Sequence, residues 1–291
     1  MTRTTAHEDP PGPPEGTGPL RIGAYHRPTV GEAEQSWSEL VEVIERGNMA
    51  DLKRHASTEE EYGAWSGPIK EAYGGLEEYI RQVRLGWGKP DGKEKEVPGQ
   101  EYFRGEWVND SPQRHRAKCI PNDWPYAVPE DCGHFVVWSI SPMLHEGLFQ
   151  TEDTPFEEDQ RKAIYDAVCH DGVRGRTGAP SRVVGQETIK ALQSKKEVKT
   201  RDTHPPAERQ NGHKEEEEDD IHHETIESLA MRAQAWAGRE VNAYVEAKWP
   251  EDQWETAWFC NPPHLRTVPG LSHFHVLARR KVSDPDNPSD P

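Results

Sequence analysis

The stretch Ser272-His-Phe-His-Val-Leu-Ala-Arg279 has the two-residue period of a β-strand. On such a strand His273, His275 and Leu277 share one face, and Phe274 and Val276 share the other. Two further runs have the same texture. Gly133-His-Phe-Val-Val-Trp-Ser139 is short, β-branched and aromatic, as a buried strand is, and Glu255-Thr-Ala-Trp-Phe-Cys260 reads the same way. Helix signals lie around these strands. Ser36-Trp-Ser-Glu39 is a capping box, followed by Trp37, Leu40, Val41 and Ile44 on one stripe and Gly47 as the stop. A second box, Ser57-Thr-Glu-Glu60, opens a helix with Tyr62, Trp65 and Ile69 on one face and a kink at Pro68. Leu76, Tyr79, Ile80 and Val83 form a third stripe. Thr154-Pro-Phe-Glu157 joins a capping box to a proline at the first helical position and predicts a helix to about Cys169. Glu224–Trp249 carries a long stripe from Ile226 to Val245, stopped by Pro250. The alternation predicts an α+β fold: a small mixed sheet covered by helices, with an N-terminal helical layer.

The remaining chain is polar. With 291 residues, 33% of them hydrophobic, 24 Gly and 25 Pro, the composition points to long loops and tails around a smaller body. Residues 1–34 and 282–291 are expected to be disordered tails around one domain at 35–281, with residues 88–118 a polar loop. A low-complexity insertion is expected at 170–221, with one short helix at Gln186–Gln193. No stretch approaches the ~20 apolar residues of a membrane span. The first residues resemble neither a secretory signal nor a transit peptide. Cys119, Cys132, Cys169 and Cys260 show no C-x-x-C pair and no zinc-site spacing, so free thiols in a cytoplasmic protein are expected, with no metal and no membrane partner. The net charge is −17, but nine of the acids lie in Glu215–Asp220 and after Lys281. The balance argues against non-specific nucleic-acid binding and leaves room for a local basic patch.

Two clusters can carry chemistry. His273 and His275 can share one substrate, one imidazole as general base and one as hydrogen-bond donor, since both titrate near neutral pH. The plainer alternative is a pair of strand-surface histidines satisfied by backbone or water. Asn122-Asp-Trp-Pro-Tyr126, leading to His134, places Asp123 on a proline-braced loop as an acid/base group or a partner of a histidine. Its alternative is an Asx-turn, with Trp124, Tyr126 and His134 as core. Neither a P-loop nor G-x-G-x-x-G nor G-x-S-x-G occurs, so no cofactor is expected and a substrate of this chain would arrive already activated.

Three segments together carry a resemblance: Ser36-Trp-Ser-Glu-Leu40 with Tyr73-Gly74 and Leu85-Gly-Trp87; Asn122-Asp-Trp-Pro-Tyr126 with His134-Phe-Val-Val-Trp-Ser139; and Ala257-Trp-Phe259 with His273-Phe-His-Val-Leu277. Over roughly 36–148 and 224–280 the chain resembles the fungal family named for the N-acetylglucosamine-induced protein. The loop Asn261–Gly270 and the 170–221 segment depart from that family's usual pattern. The altered loop beside the two histidines points towards arginine-containing cyclodipeptide synthases, which look like diverged relatives of the family. That resemblance implies a partner in aminoacyl-tRNA (arginyl-tRNA and a second charged tRNA) and a diketopiperazine product.

On that reading His273 or His275 deprotonates an α-amino group and the other protonates the leaving ribose hydroxyl. Asp123 clasps the substrate guanidinium as a bidentate partner. Asn122, Trp124, Tyr126, His134, Asn261 and Arg266 would line the substrate site. Ser139, Ser141, Ser272, Cys132 and Cys260 are the possible nucleophiles if an aminoacyl-enzyme forms. Basic groups for tRNA would come from Arg81–Lys89, Arg114–Lys118, Lys195–Arg201 and Arg279–Lys281. Two other readings stand beside it: a non-enzymatic or regulatory protein of amino-sugar metabolism, as the family name implies, and a phosphoryl or nucleotidyl hydrolase. The second rests on the His-x-His-x-His pattern of histidine-triad enzymes, of which Leu277 breaks the third position.

Overall fold

A computed structural model describes residues 34–87, 117–139, 142–180, 185–193 and 225–281. Residues 1–33 and 282–291 of the expected tails, nearly all of the 88–118 loop, Ser141, and residues 181–184 and 194–221 of the expected insertion lie outside the described residues.

The chain is an α+β fold. Helix α1 (Trp37–Arg46) starts at the capping box: the Ser36 hydroxyl accepts from the Glu39 amide, the Glu39 carboxylate accepts from the Ser36 amide, and Gly47 closes the helix at φ 77°. Helix α2 (Ala56–Tyr73) begins one residue before the expected box, with His55 at the N-cap, and continues through Pro68. Helix α3 (Leu76–Tyr79) runs into one π-helical turn, Ile80–Arg84. Strands β1 (Ala117–Pro121) and β2 (Cys132–Ser139) follow. Helix α4 (Glu158–Asp171) has its N-cap at Glu157 rather than at Thr154.

Next come strands β3 (Val173–Arg176) and β4 (Ala179–Pro180) and helix α5 (Gln186–Gln193). The long α6 (Ile226–Lys248) is capped by the Thr225 hydroxyl. Strands β5 (Trp254–Cys260) and β6 (Ser272–Arg280) complete the sheet. Its order is β1-β2-β6-β5-β3-β4, and every pairing is antiparallel, so the expected mixed sheet is corrected. Parallel pairs need long crossovers between neighbouring strands. Here β5 and β6, the central pair, are joined by an eleven-residue loop instead.

The expected low-complexity insertion also begins too early, because Val173–Arg176 pairs with Ala257–Cys260 inside the sheet. Its glycine is a packing device. A Cβ on Gly175 would lie 2.5 Å from the Trp258 ring, and one on Gly238 of α6 would lie 2.9 Å from it. Both glycines let backbone close on the indole. Two arginines and a glycine in four residues hide a strand from any apolar pattern. Arg174 and Arg176 reach back instead to α1, donating to the Glu45 carbonyl at 2.9 Å and pairing with its carboxylate at 2.7 Å.

Alternation along the strands divides the molecule into two layers. On one face Phe135, Val137, Trp258, Phe274, Val276 and Ala278 pack under α4, α5 and α6. The opposite face meets the N-terminal helices in two smaller clusters. Val136 and Trp138 lie with Ile69, Leu76, Tyr79 and Leu85, and Ala257, Phe259 and Leu277 lie with Leu40, Ile44 and Leu52. His134, His273 and His275 are on this second face, between those clusters. No helix among the described residues is long and apolar enough to cross a membrane.

Candidate functional site

A cavity of about 290 Å³ opens between the N-terminal layer and the β2–β6 face. Its floor is Val136, Trp138, His273 and His275. The loop Pro121–Trp124 with Tyr126 forms one side, and α2, α3 and the π-turn form the roof through Tyr62, Trp65, Tyr79 and Arg84. Asn261, Leu265, Thr267 and Val268, from the β5–β6 loop, close the remaining side. The structure thus brings His273, His275, Asn122, Asp123, Trp124, Tyr126 and Asn261 into one cavity wall. His134 and Arg266 stand just behind it. Arg266 donates to the Asn261 carbonyl at 2.8 Å and steadies the loop that carries Asn261.

The two predicted clusters are joined by hydrogen bonds. The Tyr126 amide donates to His134 Nδ1 at 3.2 Å, and His134 Nε2 is 3.0 Å from His275 Nδ1. His273 Nδ1 is 2.8 Å from the Leu271 carbonyl. Flat contacts hold the rings: Tyr126 stacks on His134 at 4.7 Å, Phe259 on His275 at 4.9 Å, and Trp138 leans on His273 at 4.6 Å. Burial disfavours the charged form of each imidazole. It pulls His134 down to about 3 and His273 down to about 4, and it holds His275 well below the ordinary histidine value. All three are therefore neutral at neutral pH. A neutral imidazole accepts a proton or donates a hydrogen bond, but no standing imidazolium is present to protonate a leaving group.

Asp123 also has a different role from the expected one. Arg84 holds both of its oxygens, with Nε donating to Oδ2 at 2.6 Å and Nη2 donating to Oδ1. Burial still pushes the Asp123 carboxyl up, against the opposing pull of Arg84. The guanidinium it clasps in this structure is therefore the protein's own, that of Arg84. The Asx bond expected as its alternative is made by the preceding residue, since Asn122 Oδ1 accepts from the Trp124 amide at 3.0 Å. This fixes the amide so that Asn122 Nδ2 faces the His134 ring, 3.2 Å from Nε2 and 3.4 Å from Nδ1.

None of the proposed nucleophiles lines the cavity among the described residues. Ser139 is fully buried, and Ser272 Oγ accepts from the Met143 amide at 3.1 Å. Burial pushes the Cys132 thiol up to about 12 and the Cys260 thiol up to about 11, so neither supplies a thiolate. Ser141 lies outside the described residues.

Most of the wall is aromatic. Trp65 meets Tyr79 edge-on at 5.4 Å and lies 5.2 Å from Trp124, and Arg54 sits over the Tyr62 ring at 4.5 Å while donating to the Trp124 carbonyl. Four lining residues carry a buried polar atom with no protein partner: Trp65 Nε1, Trp138 Nε1, Tyr79 Oη and Asn261 Oδ1. Burial and the nearby Asp123 raise the Tyr79 phenol to about 12, so it remains a donor. The stripe reading assigned Tyr62, Trp65 and Tyr79 to helix packing. Arg84 left no local signal, because its partner lies 39 residues away.

The expected basic patches are largely engaged within the fold. Arg81 is buried, Lys118 donates to the Leu85 carbonyl, Arg279 pairs with Glu255 and covers Trp37, and Arg280 covers Trp254. Lys89, Arg114 and Lys195–Arg201 lie outside the described residues.

Fold and site together define an α+β protein with an aromatic, imidazole-floored cavity between an antiparallel sheet and a helical layer. Residues 36–201 match the model of the family described as "Protein of unknown function (DUF3605)", and the chain belongs to that family. The match includes the Asn122–Tyr126 loop and His134, whereas Asn261, His273 and His275 lie beyond it. Among solved structures, one described as "Crystal Structure of HTC1" is similar at 19% identity over 84% of this chain and 84% of that chain, with a TM-score of 0.38. No curated protein matches the chain.

Proposed function

We propose that the cavity is an acyl-transfer site in which the chain joins arginine and a second amino acid, both supplied as aminoacyl-tRNA, into a cyclic dipeptide. The supporting observation is the pair of imidazoles, His273 and His275, on the floor of an aromatic cavity. An aminoacyl ester already carries the activation that amide formation needs. What remains is to deprotonate an amine, stabilise the oxyanion and return a proton to the leaving ribose hydroxyl. The α-amino group of one aminoacyl unit attacks the ester carbonyl of the other, forming one amide bond and releasing one tRNA. The remaining α-amino group then attacks the second ester, closes the ring and releases the second tRNA. Two ester bonds break and two amide bonds form.

Arginine fits the wall. A guanidinium stacks on aromatic faces, as Arg54 already does on Tyr62, and its N–H groups match the acceptor Asn261 Oδ1. A charged tRNA presents its amino acid on a single-stranded end, and such ends are recognised by stacking on aromatic side chains.

The test is to incubate the purified chain with arginyl-tRNA and a mixture of other charged tRNAs and to analyse small molecules by mass spectrometry. An arginine-containing diketopiperazine that depends on both charged tRNAs is the expected outcome. Intact charged tRNA with no such product overturns the proposal.

A further inference from the structure

Backbone groups beside the histidines fix one arrangement of protons. A backbone N–H only donates, so the Tyr126 amide requires a lone pair on His134 Nδ1. Asn122 Nδ2 lies 3.2 Å from Nε2 and 3.4 Å from Nδ1 and does not choose between them, so the Tyr126 amide decides. Neutral His134 therefore carries its hydrogen on Nε2, 3.0 Å from His275 Nδ1. That contact needs a lone pair on His275 Nδ1, which places the hydrogen of neutral His275 on Nε2. At His273 the reverse holds. A carbonyl only accepts, so His273 Nδ1 carries the hydrogen that Leu271 receives, and the lone pair is on Nε2.

We infer that His134 is a positioning residue, which reads the Asn122–Tyr126 loop through Nδ1 and locks His275 as an Nε2–H donor, leaving His273 Nε2 as the imidazole base of the cavity. The inference rests on the acyl-transfer reading for its chemistry and on hydrogen-bond geometry for its tautomers. In the transfer step His273 Nε2 takes the proton from the attacking amine and returns it to the ribose oxygen as the ester C–O bond breaks. His275 Nε2–H donates to the carbonyl oxygen while that oxygen carries negative charge. One histidine thus serves as base and then acid in turn, which removes the need for a standing imidazolium.

The arrangement explains why two similar residues on one strand are not equivalent. It also gives the Asn122-Asp-Trp-Pro-Tyr126 turn a task without contact to the reacting atoms. Arg84, through Asp123, anchors the turn whose Tyr126 amide sets the first tautomer.

The experiment is a long-range ¹⁵N–¹H correlation spectrum of the full chain with ¹⁵N-labelled histidine at neutral pH, assigned by single His→Gln replacement. The expected spectrum shows His134 and His275 protonated on Nε2 and His273 on Nδ1. His134→Phe, which keeps a ring against Tyr126, should release His275 into a tautomer mixture. It should also lower product formation roughly 10–100-fold, the size found when outer-shell partners of a ligating imidazole are removed. His134→Gln, with an oxygen for the Tyr126 amide and an N–H for His275, should retain the His275 signature and most of the product. Protonation of His275 on Nδ1 in the wild type overturns the inference. So does a His275 signature that His134→Phe leaves unchanged or that His134→Gln abolishes. Where the Phe variant does not fold, the wild-type and Gln spectra decide. The spectra report whether or not product forms, so an intact relay with no dipeptide would count against the proposed function and not against the relay.

Discussion

Strand β6 has two faces that behave as different materials. Phe274, Val276 and Ala278 are essentially inaccessible and lie in one large apolar cluster under α4, α5 and α6. One residue away at each step, His273 and His275 face a cavity whose wall carries four buried polar atoms without protein partners. A stability-driven fold satisfies or excludes such atoms. Such atoms also occur in the opposite layer, at Gln160 and Gln234, so what sets the polar face of β6 apart is that its orphaned atoms belong to residues lining a cavity.

The largest effects should fall on that contrast. Phe274→Ala removes a ring from the dry face and should lower the unfolding free energy by about 3–5 kcal/mol in a denaturant titration. Its folded fraction should keep product formation. His273→Asn keeps a donor for the Leu271 carbonyl but removes the Nε2 lone pair. Product formation should fall about 10²–10⁴-fold, with the denaturation midpoint close to wild type. A His273→Asn variant that unfolds but remains active when folded would erase the division.

The next effect is electrostatic. Arg84→Met leaves Asp123 mostly buried without its guanidinium, and breaking a buried pair from one side costs about 3 kcal/mol or more. Adding Asp123→Asn to Arg84→Met should recover part of that loss, because the uncompensated charge is gone. A double variant no more stable than Arg84→Met alone would show that the pair does not act through its charge.

The smallest effect per residue is in pH. His134, His273 and His275 are held neutral in the folded chain but ionise near 6.5 when unfolded. Below about 6.5 the unfolded state takes up protons that the folded state refuses, so stability falls as pH falls. Each such histidine contributes up to about 1.4 kcal/mol per pH unit. For His273 the loss levels off near 4 and for His134 near 3, and above 6.5 these groups give no slope. Unfolding curves between pH 8 and 4 check this. His273→Asn should reduce the slope, and an unchanged slope would place that histidine among accessible groups.

The same contrast separates what a reader of the sequence can and cannot find. The β6 alternation, the Ser36–Glu39 cap and the α6 stripe are local, because period and capping are set within a few residues, and each appears in the structure at nearly the expected bounds. β3 was hidden because its glycine is required by an indole that arrives 83 residues later. Within the site, the cavity floor and the Asn122–Tyr126 loop were legible as two separate clusters. Their junction was not, since His134 and His275 are 141 residues apart and meet only through strand pairing. Asp123 lines the cavity as its turn suggests, but its partner Arg84 lies 39 residues away and nothing near Asp123 in sequence announces it.

Whether the polar face of β6 is a catalytic surface can be measured in cells. Extracts of cells expressing the wild-type chain are compared by mass spectrometry with extracts of cells expressing a His273→Ala, His275→Ala variant at equal folded level. An arginine-containing cyclic dipeptide present in the first and absent from the second is the predicted result. Equal amounts in both, or none in either host with normal tRNA pools, would contradict it.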